Sequence, residues 1–183
     1  MLKTILFILV TLIPSQLLAE GCLIYIPPEC RQHNSGPSCG FASITTCLRA
    51  ANLWEVADGW WSRYRGPANT QNVRSRLTQE NIKFKMFFNS DQKGILEALD
   101  SGRMVAVTWG SRHMVTLAGV IDGNAYVIDN NRPKTFIVQP LSKFWSMHRV
   151  GGGWAVVILS GTPSKPVIQN GLQGYEKSLY VNP

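Results

Sequence analysis

The chain has 183 residues, of which 45% are hydrophobic and 16% are charged, and its net charge at pH 7 is +7. This size and hydrophobic fraction fit one globular domain with a sizeable core and exclude a chain that is disordered overall. The basic excess favours contact with anionic cell surfaces, but the basic residues are scattered rather than gathered in a stripe, so we expect no nucleic-acid binding.

Residues 1–19 have the pattern of a secretory signal peptide. Lys3 precedes an apolar run from Ile5 to Pro14, and the segment Ser15–Ala19 follows as a cleavage site. The run is short for a membrane span. We therefore expect an extracytoplasmic protein, periplasmic or secreted, that contacts a membrane only if this segment is uncleaved or if Cys22 carries a lipid.

The next segment, 20–31, raises the question of disulfides, since the chain has four cysteines and is predicted to enter an oxidising compartment. Cys22 and Cys30 flank a short loop that one bridge could close, and they are the predicted pair. Cys47 lies eight residues after Cys39. On one helix that separation is about 12 Å, too far for a bridge. We expect Cys47 to pack in the core.

Cys39 is the candidate nucleophile. The turn-forming stretch Asn34-Ser-Gly-Pro-Ser places it at the first position of an apolar helical run that extends to about Asn52. The free N–H groups and the dipole at the start of a helix favour the thiolate, which is the reactive form of cysteine. The alternative for Cys39 taken alone is an inert thiol packed as a small hydrophobic group.

Periodicity predicts further elements along the chain. Two helices are predicted over 53–64 and 70–81, then a strand over 83–88 and a short helix that is capped by Ser90 or Asp91 and runs through Leu99. The remaining predicted elements are strands over 104–109, 113–121, 125–129, 136–138 and 154–159. From residue 160 to residue 183 the composition predicts a flexible tail.

A hairpin signal, Asp122-Gly123-Asn124, joins the strand that begins at His113 to the strand that ends at Asp129. Antiparallel neighbours joined in this way bring His113 and Asp129 to the same end of a sheet. A cysteine nucleophile needs an imidazole to accept its proton, and the imidazole needs an acceptor on its other nitrogen. Cys39, His113 and either Asp129 or the following Asn130 are therefore a candidate triad. Separately, the histidine could be a packed side chain and the others turn residues.

The segments Gly-Pro-Ser-Cys39-Gly-Phe-Ala-Ser, Arg-His113-Met-Val and Val-Ile-Asp129 resemble the papain-like cysteine peptidase superfamily. Within it, residues 32–159 are most similar to the C39-like group, which includes the bacteriocin-processing double-glycine peptidases. The resemblance implies an α+β papain-like fold, in which an N-terminal helical half led by the Cys39 helix packs on a mostly antiparallel sheet. It also implies Asp129 as the third member, with Asn130 in reserve.

Peptidases of this kind place a glutamine six residues before the nucleophile, where its amide helps to hold the oxyanion. His33 occupies that position here, with Gln32 before it and Asn34 after it. The resemblance therefore implies Gln32 as the oxyanion donor, with Asn34 in reserve and His33 as a third option. One such donor can contribute a few kcal/mol to transition-state stabilisation, about 3 to 4 in a measured case.

The resemblance implies a cysteine peptidase that hydrolyses a peptide or protein substrate through a thioester and uses no metal or organic cofactor. Two alternatives remain open. The same Cys–His pair could serve a cell-wall peptide amidase or an acyltransferase. The shifted oxyanion amide could instead indicate a peptide-binding module that has lost catalysis.

Overall fold

The structure is a computed structural model that describes residues 23–34, 36–163 and 167–169. The predicted signal segment 1–19, Cys22 and most of the predicted tail lie outside these residues. The elements, in chain order, are β1 (Leu23–Tyr25), a short 3₁₀ helix (Pro28–Cys30), α1 (Cys39–Ala50), α2 (Trp54–Arg63), α3 (Thr70–Gln79), β2 (Phe84–Phe87), α4 (Gln92–Asp100), β3 (Val105–Trp109), β4 (His113–Ile121), β5 (Asn124–Ile128), β6 (Phe136–Pro140), α5 (Leu141–Val150), β7 (Ala155–Ile158) and β8 (Val167–Gln169).

Six strands form one antiparallel sheet in the order β2-β7-β3-β4-β5-β6, and β1 pairs with β8 in a separate two-stranded ribbon. The central strands are apolar on both faces. Ala106 and Val156 face the core that contains α1, whereas Val105 and Val107 face the core that contains Phe144 of α5. Because successive side chains of a strand point to opposite faces, the sheet is covered by helices on both sides.

The α+β papain-like fold class is thus confirmed, with one difference in its layers. The sequence pattern predicted a helical half against a sheet half, but α4 and α5 cover the face of the sheet that α1 leaves open. Helix α5 was missing from the predicted elements. Its signal was present as Phe144, Trp145 and His148, all buried, followed by Gly151 just past the helix end.

Helix α1 lies at the centre of the first core and is buried along almost its whole length. Phe41, Ile44 and Leu48 are completely buried, and each such side chain contributes about 1.5 to 3 kcal/mol of hydrophobic stabilisation. The ring of Phe41 packs 5.9 Å from that of Trp60 in α2. These contacts fix the position of α1, and therefore of its first residue, Cys39.

The predicted hairpin between β4 and β5 is confirmed. Its loop has two residues, Asp122 and Gly123, and both have positive φ angles, 49° and 75°. This is the type I′ geometry that matches the twist of the flanking strands. A register shift between Leu117 and Gly119 is the bulge that uneven counting from the turn allowed.

The first residues of the predicted tail make hydrogen bonds with the folded body. The Ser160 hydroxyl accepts a hydrogen bond from the Lys83 N–H (2.7 Å), and the Asn52 amide donates to the carbonyl of Thr162 (3.1 Å). Residues 167–169 then form β8. A composition rich in Gly, Ser and Pro did not reveal these backbone contacts.

Cys30 and Cys47 are buried, and neither forms a disulfide with another cysteine of the described residues. The pair predicted between Cys22 and Cys30 includes a residue outside the described part of the chain and stays a prediction. Over the ranges described above, every helix is too short or too polar to cross a bilayer.

Candidate active site

Cys39 is the first residue of α1 and is half buried. The preceding residue, Ser38, makes no side-chain cap for the helix, because its hydroxyl accepts a hydrogen bond from the N–H of Gly66 (2.8 Å). The first N–H groups of a helix have no partner within the helix. The N–H of Cys39 is therefore available beside the sulfur, at the positive end of the helix dipole.

Gly40 lets the start of α1 approach its neighbours closely. A Cβ at this position would overlap the Cβ of Ala68 and would lie 2.9 Å from the sulfur of Met114. A glycine after the nucleophile thus has a steric reason here. It allows Cys39 to lie against strand β4, where the N–H groups of Met114 and Gly40 act to lower the pKa of its thiol.

His113 begins β4 and links Cys39 to Asp129. Its Nε2 donates to Oδ1 of Asp129 at 2.8 Å, and the Cys39 thiol lies near enough to its ring for each group to shift the pKa of the other. With Nε2 bound to the carboxylate, Nδ1 is the nitrogen left for the sulfur. Asp129 is itself held, because its Oδ1 also accepts from the N–H of Asn131 at 2.9 Å. The structure therefore brings together the three side chains of the candidate triad.

The electrostatics of the three groups favour separated charges. Burial acts to raise the pKa of Cys39, but hydrogen bonds from His113 and from the N–H groups of Met114 and Gly40 outweigh it, and the pKa lies below the ordinary thiol value. Burial acts to lower the pKa of His113, but the contacts with Asp129 and Cys39 raise it to about 9. For Asp129, burial is outweighed mainly by the bond from His113, which lowers the pKa. Both the lowered pKa of Cys39 and the raised pKa of His113 favour a thiolate beside an imidazolium.

Asn130, the reserve for the third position, makes no hydrogen bond with His113 in the described part of the chain. It is 1% exposed, and its Nδ2 lies within hydrogen-bond distance of the carbonyl of Met114 (2.7 Å), the hydroxyl of Ser43 (3.0 Å) and the carbonyl of Cys39 (3.1 Å). Asn130 therefore ties the start of α1 to β4. Its position one residue after Asp129 was visible in the sequence, but its hydrogen bonds to α1 and β4 were not.

The residues expected to hold the oxyanion are not in the cavity beside Cys39. The amide of Gln32 donates to the carbonyl of His33 at 2.8 Å, and His33 is exposed. Asn34 is 3% exposed, and its Nδ2 donates to the carbonyl of Gly36 at 2.6 Å, with Oδ1 of Asn131 at 3.4 Å. The backbone N–H of Gln32 donates to the hydroxyl of Thr46 in α1 at 3.0 Å, and Gln32 does not line the cavity. The N–H of Cys39 is the donor that the helix start itself provides.

A cavity of about 590 Å³ opens beside the sulfur. Residues from the α1 side and from the sheet side both form its wall: Gly36, Pro37, Cys39, Gly40, Pro67, Ala68, Thr108, Arg112, His113, Met114, Asn131, Gly151 and Trp154. The volume is in the range of sites that take several groups of a ligand. Among the described residues, no cluster of three His, Cys, Asp or Glu side chains has the arrangement of a metal site.

Comparison with solved structures identifies the fold. A protein described as a C39-like peptidase from Bacillus anthracis superposes with a TM-score of 0.58 at 11% identity, over 76% of this chain and 99% of that one. A double-glycine-motif protease of an AMS/PCAT transporter, solved in complex with a leader peptide, superposes with a TM-score of 0.53 at 18% identity, over 77% and 95%. No family model matches the sequence, and no curated protein does. At these identities the similarity concerns the fold.

Proposed function

We propose that this chain, which has the fold of the C39-like peptidases, is an exported cysteine peptidase that hydrolyses peptide bonds with Cys39, His113 and Asp129. One observation carries the proposal: His113 contacts both the sulfur of Cys39 and the carboxylate of Asp129 in the wall of an open cavity. Because the cavity is open, a substrate carbonyl can reach the sulfur, which it could not do if the three side chains were buried away from solvent. The export part rests on the predicted signal segment.

In this mechanism the thiolate of Cys39 attacks the carbonyl carbon of the substrate, and a C–S bond forms while the carbonyl oxygen becomes an oxyanion. The N–H of Cys39 donates to that oxyanion. His113 then gives the proton on Nδ1 to the leaving nitrogen as the C–N bond breaks, which leaves a thioester and a neutral imidazole. Asp129 keeps the ring oriented by accepting from Nε2 throughout.

The second half restores the enzyme. Neutral His113 takes a proton from water as the water oxygen attacks the thioester carbon, and the C–S bond then breaks to release the acid and the thiolate. A peptide substrate is further supported by the similar protease that was solved with a leader peptide bound. The mostly uncharged, small-residue wall around Cys39 suits an extended backbone that must approach the sulfur closely.

The first test measures the reactivity of Cys39 and needs no known substrate. The folded protein is treated with iodoacetamide between pH 5 and 10, and the labelled site is read by peptide mapping, with Cys39→Ala as the control for site. At pH 7 a free thiol of pKa about 8.5 is about 3% ionised, so a stabilised thiolate should react about tenfold faster than a free thiol.

His113→Ala should remove that advantage, because the pKa of Cys39 then rises. A wild-type profile with a single midpoint near that of a free thiol, unchanged in His113→Ala, would contradict the proposal. If the reactivity is as expected, a peptide library analysed by mass spectrometry follows. Cleavage products that persist in Cys39→Ala would assign hydrolysis to another site.

The position of Gln32 and Asn34 outside the cavity favours one second candidate, a peptide-binding module without catalysis. This candidate predicts peptide binding that survives Cys39→Ala and no cleavage by the wild type. Rapid labelling of Cys39 together with library cleavage would exclude it.

A further inference from the structure

Arg112 is a charged residue of the cavity wall that takes no part in the chemistry proposed above. It immediately precedes His113, its side chain is exposed, and it lines the same cavity as Cys39. Among the described residues its guanidinium has no hydrogen-bond, ion-pair or aromatic partner. Arg31, Arg63 and Arg103, in contrast, are all held by carbonyls or carboxylates.

The backbone of Arg112 is in a conformation that a glycine would adopt more easily. The loop 110–112 joins β3 to β4, with Trp109 and His113 facing each other across its base. Arg112 ends this three-residue loop with a φ of 64°. A positive φ is uncommon for a residue other than glycine. A long charged side chain at a strained position beside a reactive site indicates a function for that side chain.

The charge of Arg112 is not balanced inside the cavity. Among the described residues no Asp or Glu lines the wall, and the carboxylate of Asp129 is bound to His113. The thiolate of Cys39 and the imidazolium of His113 offset each other. Arg112 is therefore the net positive charge of a wall whose other members are small, apolar or uncharged.

We propose that Arg112 is a specificity site that binds an Asp or Glu side chain of the substrate, within a few residues of the bond that is cut. This rests on the proposed peptidase function. A guanidinium presents two parallel N–H groups to a carboxylate and forms a stronger contact than a lysine does. Its position next to His113 allows one peptide to contact Arg112 while its carbonyl lies at Cys39.

The first experiment separates this proposal from peptide hydrolysis. Cys39 is alkylated with iodoacetate, which is anionic, and with iodoacetamide, which is neutral and nearly the same size. The ratio of the two rate constants reports the charge near the sulfur, and the iodoacetamide rate alone reports an intact nucleophile. His113 attracts the anion equally in all variants, so a change in the ratio isolates Arg112.

At low ionic strength we expect Arg112→Gln to lower this ratio about threefold or more, and the difference should shrink as salt screens the charge. Arg112→Lys should retain most of it. Arg74→Gln is the matched control, since Arg74 is an exposed arginine of α3 outside the cavity wall. An unchanged ratio in Arg112→Gln would overturn the proposal, whereas failure of Cys39 to react with either reagent would overturn the proposed function instead.

Arg112→Gly tests the hypothesis that the positive φ of Arg112 strains the backbone. It should raise the melting temperature, because glycine adopts the left-handed φ without strain, while it lowers the alkylation ratio as Arg112→Gln does. A lower melting temperature with an unchanged ratio would indicate that Arg112 is only a structural part of the loop.

The second experiment identifies the source of the carboxylate. Peptides carrying a single Asp, Asn or Lys at successive positions around the cut bond are compared by kcat/KM, each with a free and an amidated C-terminus. We expect an Asp preference at one position that falls at least fivefold in Arg112→Gln, and a preference for Lys there in Arg112→Glu. A preference that depends on the free C-terminus, or none at any position, would overturn the assignment to an acidic side chain.

Discussion

Asn130→Ala should both destabilise the protein and slow the reaction of Cys39. The substitution removes an Nδ2 group that serves three buried acceptors, on Met114, Ser43 and Cys39. Two hydrogens bind these three atoms, and each buried acceptor left without its donor costs about 1 to 3 kcal/mol. Allowing for the alternative partners of the Ser43 hydroxyl and the helical carbonyl of Cys39, we expect a loss of about 2 to 4 kcal/mol.

For a chain of this size the loss corresponds to a melting temperature lower by roughly 5 to 15 °C. The measurement is denaturant unfolding followed by tryptophan fluorescence, with Asn131→Ala as control. Asn131 is exposed and acts on Asp129 through its backbone N–H, which alanine keeps. The control should lose less than about 0.5 kcal/mol.

The same hydrogen bonds of Asn130 hold Cys39 against β4. Under conditions where the variant is still folded, Asn130→Ala should therefore also raise the pH at which Cys39 begins to react with iodoacetamide. If Asn130→Ala is as stable as Asn131→Ala, the stabilisation attributed to the hydrogen bonds of Asn130 is wrong. A destabilised variant with an unchanged alkylation profile would show that the hydrogen bonds of Asn130 stabilise the fold without positioning the sulfur.

The remaining predictions concern the triad, the helix start and the other thiols. Asp129→Asn should lower the pKa of His113 from about 9, because the Asp129 contact raises it. Since the imidazolium is lost as pH rises through this pKa, the alkaline limb of the kcat/KM profile should move to lower pH. An alkaline limb at the wild-type pH would contradict the role assigned to Asp129. Gly40→Ala should destabilise the protein by about 1 to 3 kcal/mol, because the added Cβ overpacks on Ala68 and Met114. Gly36→Ala is the control and should leave the free energy of unfolding unchanged, since a Cβ there meets nothing within 4 Å. Equal effects of the two substitutions would argue against the close contact at Gly40. In the folded protein, Cys39 should be alkylated well before Cys47, whose burial raises its pKa to about 12, and equal labelling of the two by peptide mapping would refute the assignment of Cys47 to the core.

Local patterns were sufficient for most of the elements that present the site. The apolar period after Cys39 predicted α1, and Asp122-Gly123 predicted the turn that brings the ends of β4 and β5 together. Both are short-range effects, because a helix buries one stripe of its own residues and a two-residue turn needs particular φ angles. Helix α5 was missed although half of its residues are apolar, because it begins directly after strand β6 and no loop separates the two elements.

The candidate oxyanion donor could not be obtained in the same way. Spacing along the chain suggested Gln32, but a loop before a helix can direct a side chain to either side, and contacts far away in sequence decide which. Here the N–H of Gln32 is bound to Thr46 and the N–H of Asn34 to the carbonyl of Asn130 (2.8 Å). These bonds join segments about a hundred residues apart in one case, and no local pattern encodes them.

The sequence by itself determined which groups could react: a cysteine at the start of an apolar helix, a histidine at the start of one strand and an aspartate at the end of the next. Only the tertiary structure decided that the imidazole contacts both the sulfur and the carboxylate and that Asn130 links Cys39 to β4. It also decided that Arg112 lines the cavity and that its guanidinium has no partner among the described residues. The physical reason is range. Helix and turn formation depend on neighbours within a few residues, whereas pKa shifts and side-chain contacts depend on groups that only folding brings within hydrogen-bond distance.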